Sequence, residues 1–261
     1  MALESLHTDH FSRSRNLFIQ NGFVKGTFER VYLDIREKEG RLYSDAQVEL
    51  LPFIEAHHPL SEEWNTRARS AKRLIRYLSS HPGKIILEVG CGNGWLAHRI
   101  AQIPEKEVFG LDVNEPELDQ AASVFRNKTN LAFILGDLFT IKFPFQFDII
   151  LFASSLQYFP DVQEVFRAAF LLLKSAGEIH VIDTPIYAGR DVEHARERSC
   201  NYFADNQPSM NDHYFHHVKE DLLRFSPALL YNPASLFTKM RNKFVKDSPF
   251  PWLRITKSRH A

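Results

Sequence analysis

The stretch from Lys84 to Ala101, KIILEVGCGNGWLAHRIA, constrains the fold more than any other part of the chain. Its apolar run Ile85-Ile86-Leu87, closed by Glu88 and Val89, is short, β-branched and apolar on both sides. Such a run suits a central strand of a parallel sheet that is covered on both faces. Gly90, Gly92 and Gly94 follow at alternate positions, and Leu96, Ile100 and Ile103 then fall at helical spacing. Strand, glycine loop and helix together read as a nucleotide-binding turn, with free N–H groups and the positive end of the helix dipole facing the ligand. The dinucleotide pattern G-x-G-x-x-G would put its third glycine where this chain has Trp95, which counts against an NAD-type oxidoreductase.

The chain beyond this turn keeps alternating strands and helices. A second strand, 107–111, ends in Asp112, followed by Val113, Asn114 and a helix with Pro116 in its first turn. Asp112 lies about twenty residues past the glycines, placed to accept the ribose hydroxyls of a nucleotide. Taken alone it would read as a helix cap. A third strand, 131–135, leads into Gly136-Asp137-Leu138. Asp137 can accept from an adenine amino group and Leu138 can add a backbone N–H and an apolar wall; a plain turn aspartate is the alternative. A fourth strand, 147–152, runs into Ala153-Ser154-Ser155-Leu156-Gln157-Tyr158. A helix from Pro160-Asp161 through Leu173, with 174–177 as its C-terminal turn, feeds a fifth strand at 178–183. Strands separated by helices should run parallel.

The acidic-x-G-x-G-x-G order of 88–94, then Asp112, then Asp137-Leu138, then the stretch 153–159, resemble in type and sequence order four motifs of the class I S-adenosylmethionine (SAM)-dependent methyltransferases. The resemblance covers roughly residues 64–183. It implies an α/β, Rossmann-like, doubly wound seven-stranded sheet, mostly parallel with an antiparallel last strand, plus an N-terminal helical segment. It implies SAM as cofactor and S-adenosylhomocysteine as product. Glu88, Gly90, Cys91, Gly92, Gly94, Asp112, Val113, Asp137, Leu138, Ala153 and Ser154 would hold it. Many relatives show an Asn or His pattern after the fourth strand; Ser154, Ser155 and Gln157 depart from it and leave the chemistry at the acceptor open. Ser155, Gln157, Tyr158, Tyr187 and His216 are candidate acceptor contacts, and no general base is assigned.

Outside the motifs, residues 1–63 read as an N-terminal helical lid or extension and 64–261 as the catalytic domain, with 184–226 a substrate-side insert. Gly22 and Gly26 break an aromatic opening, 28–38 reads as a helix, and Ser61 as the N-cap of a helix through Ser80. A plain extra helical layer is the alternative to a lid. His213, His216 and His217 have no clear fourth ligand and no i, i+4 pair fixed on a helix, so no metal is assigned. Segments 228–231 and 252–255 read as the last two strands. Lys+Arg 32 balances Asp+Glu 32, so overall composition gives no reason to expect nucleic acid or an anionic membrane surface. Lys239, Arg241, Lys243 and Lys246 make the stretch from Ser235 locally basic, readable as a solvated helix face. With two cysteines and neither a signal peptide nor an apolar run of about 20 residues, a cytoplasmic protein without membrane insertion is expected. The expected partner is a small, partly apolar acceptor; a non-catalytic SAM-binding protein remains the rival. Oligomeric state is not readable from the sequence.

Overall fold

The computed structural model describes residues 2–6, 10–14, 16–242 and 244–257. In chain order the elements are β1 (Phe11–Ser14), β2 (Leu17–Gln20), α1 (Phe28–Lys38), α2 (Asp45–Leu50), α3 (Ser61–Ser80), β3 (Ile85–Val89), α4 (Trp95–Ile100), β4 (Glu107–Asp112), α5 (Glu115–Val124), β5 (Leu131–Leu135) and β6 (Phe147–Ala153). After them come α6 (Val162–Leu172), β7 (Leu173–Ile182), β8 (Ile186–Tyr187), α7 (Val192–Asn206), β9 (His217–Val218), α8 (Lys219–Leu223), β10 (Ala228–Tyr231), α9 (Leu236–Asn242) and β11 (Trp252–Thr256).

The sheet runs β1-β2-β5-β4-β3-β6-β7-β11-β10. β2, β5, β4, β3, β6 and β7 are parallel in sequence across it. β11 pairs antiparallel with β7, and β10 antiparallel with β11. Seven of these strands are the expected sheet. The count is nine because β1 and β2 form a hairpin that lays β2 along the β5 edge. Leu17 and Phe18 bury there, so the chain's opening is not the purely helical segment expected from the sequence. Covering that edge also removes a row of unpaired backbone groups.

The apolar run of β3 is buried on both faces, as its composition demands. Ile86 packs into one core with Leu74 and Leu78 of α3, Leu96 and Ile100 of α4 and Leu118 of α5. Leu87 and Val89 pack into the other with Val165, Phe166 and Ala169 of α6. Two expected boundaries shift. α6 stops at Leu172, and 174–177 bulge within β7, between the pairs Phe147–Leu173 and Ile149–Glu178, with Ala176 at φ 62°. Ser61 is the first helical residue of α3, whose N-cap is Leu60 without a side-chain cap bond.

Candidate cofactor and acceptor site

The loop between β3 and α4 is shaped by its own glycines. Gly90 sits at φ 73°, and a Cβ there would lie 2.4 Å from Cβ of Ser155. Gly94 sits at φ 72°, and its Cβ would meet the Phe133 ring at 2.4 Å. Trp95, standing where a dinucleotide fold would need glycine, packs edge-on against Trp64 of α3 with ring centroids 5.3 Å apart. Trp64 in turn donates from Nε1 to the Tyr43 hydroxyl at 2.8 Å.

The sequence reading expected free N–H groups in this loop. The structure corrects this. Gly90 N–H and Cys91 N–H donate to the Leu111 carbonyl at 2.8 and 3.2 Å, and Gly92 N–H donates to Asp112 Oδ2 at 2.7 Å. α4 has only six residues, so its dipole is short as well. Asp112 also accepts from the Asn114 N–H at 2.9 Å and from the Val113 N–H. Burial pushes the Asp112 carboxyl up, and these three N–H bonds only partly offset that. Asp112 therefore latches the glycine loop to the β4–α5 turn while it lines a cavity.

Two further carboxyls crowd the same loop. Glu88 is buried, accepts the Ala97 N–H of α4, and keeps Oε2 without a partner. Burial raises it to about 8, with the Ala97 bond opposing. Glu117, in the first turn of α5, is also buried and its Oε2 has no partner. A Cβ on Gly92 would sit 3.0 Å from that oxygen. Burial raises Glu117 to about 7, with Arg36 opposing from 3.7 Å. Arg36 reaches in from α1, lies over Tyr32 at 5.6 Å, and leaves its own buried Nε unpaired.

Two cavities meet over this loop and share Tyr32, Gly90, Ser154 and Tyr158. One, of about 510 Å³, is lined by Phe23, Phe28, Asp112, Val113, Asp137 and Leu138 among others. The other, of about 670 Å³, is lined by Arg36, Glu88, Cys91, Gly92, Glu117, Ala153, Gln157 and Asp183 among others. The Asp137 carboxylate accepts from the Phe139 N–H at 3.1 Å, so it holds its own turn besides facing the cavity. Ser155 lines the smaller cavity and donates to the Val89 carbonyl at 2.6 Å. Gln157 donates to the Ser154 carbonyl at 2.7 Å and leaves buried Oε1 unpaired. Tyr158 packs among Phe28, Tyr32 and Tyr214 at 5.4–5.9 Å, and burial pushes its hydroxyl up.

Tyr187 and His216 lie elsewhere: they face each other at 5.5 Å, His216 meets the Ser199 hydroxyl at 2.9 Å, and neither lines the two cavities. The three histidines diverge. His213 lines the smaller cavity against Phe28, and His217 is buried on the Leu156 carbonyl at 3.0 Å. Among the described residues no group of three His, Cys, Asp or Glu side chains is arranged to hold a metal.

Sequence reasoning missed Arg36, Glu117 and Asp183. Arg36 carried a signal, because it falls on the helix face that also holds Phe28, Tyr32 and Ile35. Asp183, at the end of β7, has φ 49°, and its Oδ1 accepts from the hydroxyls of Ser70 and Ser248 at 2.7 and 2.8 Å. At the outer wall of the larger cavity, Arg41 pairs with both oxygens of Glu63 at 2.8 and 2.7 Å, and Arg67 adds a third bond at 3.0 Å. Burial works against the Glu63 charge, but these hydrogen bonds and charges outweigh it and hold the carboxyl at about 2.

The family profile described as Methyltransferase domain matches residues 80–225. The sterol 24-C-methyltransferase erg6 of Aspergillus fumigatus is 29% identical over 194 residues, which are 71% of this chain and 48% of that protein. The malonyl-[acyl-carrier protein] O-methyltransferase of Bacteroides thetaiotaomicron is 29% identical over 128 residues, 48% of this chain and 49% of that protein. The chain thus spans about half the length of these curated relatives. Among solved structures, magnesium protoporphyrin IX methyltransferase from Synechocystis PCC 6803 superposes with a TM-score of 0.57 at 12% identity, covering 88% of this chain and 99% of that one. Geranyl diphosphate C-methyltransferase from Streptomyces coelicolor A3(2) superposes at 0.55 with 14% identity, covering 91% and 94%. The glycine loop, its acidic neighbours and the profile match agree: this chain belongs to the methyltransferase-domain family, within the class I SAM-dependent methyltransferases.

Proposed function

We propose that the protein transfers the methyl group of SAM to a small, partly apolar acceptor. The observation that carries this reading is the pair of adjoining cavities over the glycine loop, sharing Gly90, Ser154, Tyr32 and Tyr158. The smaller suits an adenosine: Asp112 for the ribose, Asp137 and Leu138 for the base, Phe23 and Phe28 for the ring face. The larger has the carboxyls and the volume for a methionine tail and an acceptor beside it. Unpaired Glu88 Oε2 and Glu117 Oε2 fit a ligand that brings an ammonium and a sulfonium, since a cation would satisfy oxygens that now lack partners.

The sulfonium of SAM supplies an activated methyl group. The chain's part is to orient the acceptor and exclude water. Tyr32, Tyr158 and Tyr214 line the larger cavity and offer an aromatic wall against which an apolar body can lie flat. Gln157 Oε1, buried and unpaired, can accept a hydrogen bond from a polar handle on that body. The larger cavity counts against a non-catalytic SAM-binding protein, which needs no room for an acceptor. Calorimetry with S-adenosylhomocysteine tests the reading. Asp112→Ala should weaken binding by about 1.5–3 kcal/mol, the value of a hydrogen bond to a charged group. Asp137→Ala should weaken adenosine as well. Wild-type affinity in both folded variants would refute this placement, and absence of methyl turnover on any small acceptor would return the non-catalytic reading.

A further inference from the structure

The methyltransferase reading leaves one surface unused. Leu236 is 81% exposed, Phe237 76%, Met240 66% and Phe244 89%, with Leu229 and Val245 also exposed. Single exposed apolar residues are ordinary; seven large ones within residues 229–245, Leu230 included, are not. On α9 they are ordered: Leu236, Phe237 and Met240 fall on one face by helical period, and Thr238 on the opposite face is buried. The chain between Ser235 and Lys246 also carries Lys239, Arg241, Lys243 and Lys246 and no acidic residue.

We propose that this segment docks the protein on an anionic lipid bilayer, with α9 lying in the plane of the headgroups. Apolar side chains interleaved with lysine and arginine are what an interfacial helix presents to such a surface. A polar surface helix would turn its leucine and phenylalanines inward, but the inward position here is a threonine. A neutral protein partner would have no use for the charges of Lys239, Arg241 and Lys243, which the segment carries besides Lys246. The docking face is continuous with the proposed acceptor site. Lys246, Ser248, Pro249 and Phe250 directly follow the apolar stretch and line the larger cavity. Lys246 is tied to Glu62 of α3 at 2.5 Å, so the segment is fastened beside that cavity. Among the described residues no helix is long and apolar enough to cross a membrane, so the contact is peripheral.

The test is co-sedimentation of the full chain with phosphatidylcholine vesicles, with and without about 30 mol% phosphatidylserine. The full chain should pellet with the anionic vesicles, weakly with phosphatidylcholine alone, and be released by about 0.5 M NaCl. Phe237→Asp combined with Phe244→Asp should lower the vesicle-bound ratio at least about tenfold. S-adenosylhomocysteine affinity and Tm of that variant should match wild type, which shows that the fold and the cofactor site are intact. Lys239→Glu should lower binding to anionic vesicles and leave the weak binding to neutral ones. The proposal is overturned if the wild type stays in solution with anionic vesicles, or if the double variant binds them like wild type. It is equally overturned if the double variant only converts a dimer into a monomer in gel filtration. Loss of S-adenosylhomocysteine binding by the wild type would instead sink the methyltransferase reading and leave the vesicle result standing.

Discussion

Glu88 serves the fold and the proposed cofactor in opposing ways. Its carboxyl accepts the Ala97 N–H at the start of α4 and is buried, with the proton held to about 8. A carboxyl whose folded pKa is raised stabilises the fold fully below its unfolded value of about 4.5, and that contribution is lost as pH rises through the folded value. Glu117, raised to about 7, acts in the same direction. The apoprotein is therefore expected to lose thermal stability between about pH 5 and 8. A cationic ligand favours the ionised carboxyls, so SAM affinity should rise over about pH 6 to 8.5, with proton release in calorimetry run in two buffers. Glu88→Gln should stabilise the apoprotein at pH 8 by about 1–3 kcal/mol and weaken SAM binding. A Glu88→Gln protein less stable than wild type at that pH would mean that Glu88 is ionised in the fold. Gly94→Ala places a methyl group against the Phe133 ring at a left-handed φ of 72°. It should cost about 2–4 kcal/mol, read from denaturant unfolding.

At the scale of elements, α1 is the piece whose role the sequence left open. Its Phe28 and Tyr32 wall the smaller cavity, and its Arg36 walls the larger one beside Glu117. That position over both cavities supports the lid reading against a plain extra layer. S-adenosylhomocysteine should slow hydrogen exchange across residues 23–38, and unchanged exchange there would return α1 to a structural layer. The motifs from β3 to β7 were legible because each rests on local chemistry: a two-sided apolar run, glycines at alternate positions, an acid at a strand end. The bulge at 174–177 was not, since Lys-Ser-Ala-Gly reads as a helix end and only pairing with β6 makes it a strand. Arg36 and Glu117 were not, since a charged pair from α1 and α5 is defined by packing at long sequence separation. Tyr187 and His216 looked like pocket residues from the aromatic content of 184–217, but each found the other instead.

For the molecule as a whole, the hairpin β1–β2 reaches beyond its edge. Gln20 Oε1 accepts the Asp137 N–H at 2.9 Å, and Gln20 Nε2 donates to the Thr140 hydroxyl at 3.0 Å. Removing residues 1–21 should bare the β5 edge, promote association seen by light scattering, and weaken adenosine binding several-fold through the loosened Asp137 turn. An unchanged adenosine affinity would show that the turn stands on its own. The expected seven strands came through because their alternation with helices is written locally; the hairpin strand β2 was obscured because Leu17-Phe18-Ile19 is only three apolar residues beside a charged run. One more consequence lies in the spent amides of the glycine loop. The N–H groups of Gly90, Cys91 and Gly92 already serve Leu111 and Asp112, so the turn withholds from a pyrophosphate three of the amides that a phosphate-binding loop would offer, and the carboxyls of Glu88, Asp112 and Glu117 crowd the same loop. The expected consequence is selection among nucleosides by charge, with phosphate esters disfavoured relative to an adenosine that carries an ammonium. Binding of NAD and ATP should accordingly be at least about 100-fold weaker than that of S-adenosylhomocysteine in calorimetry.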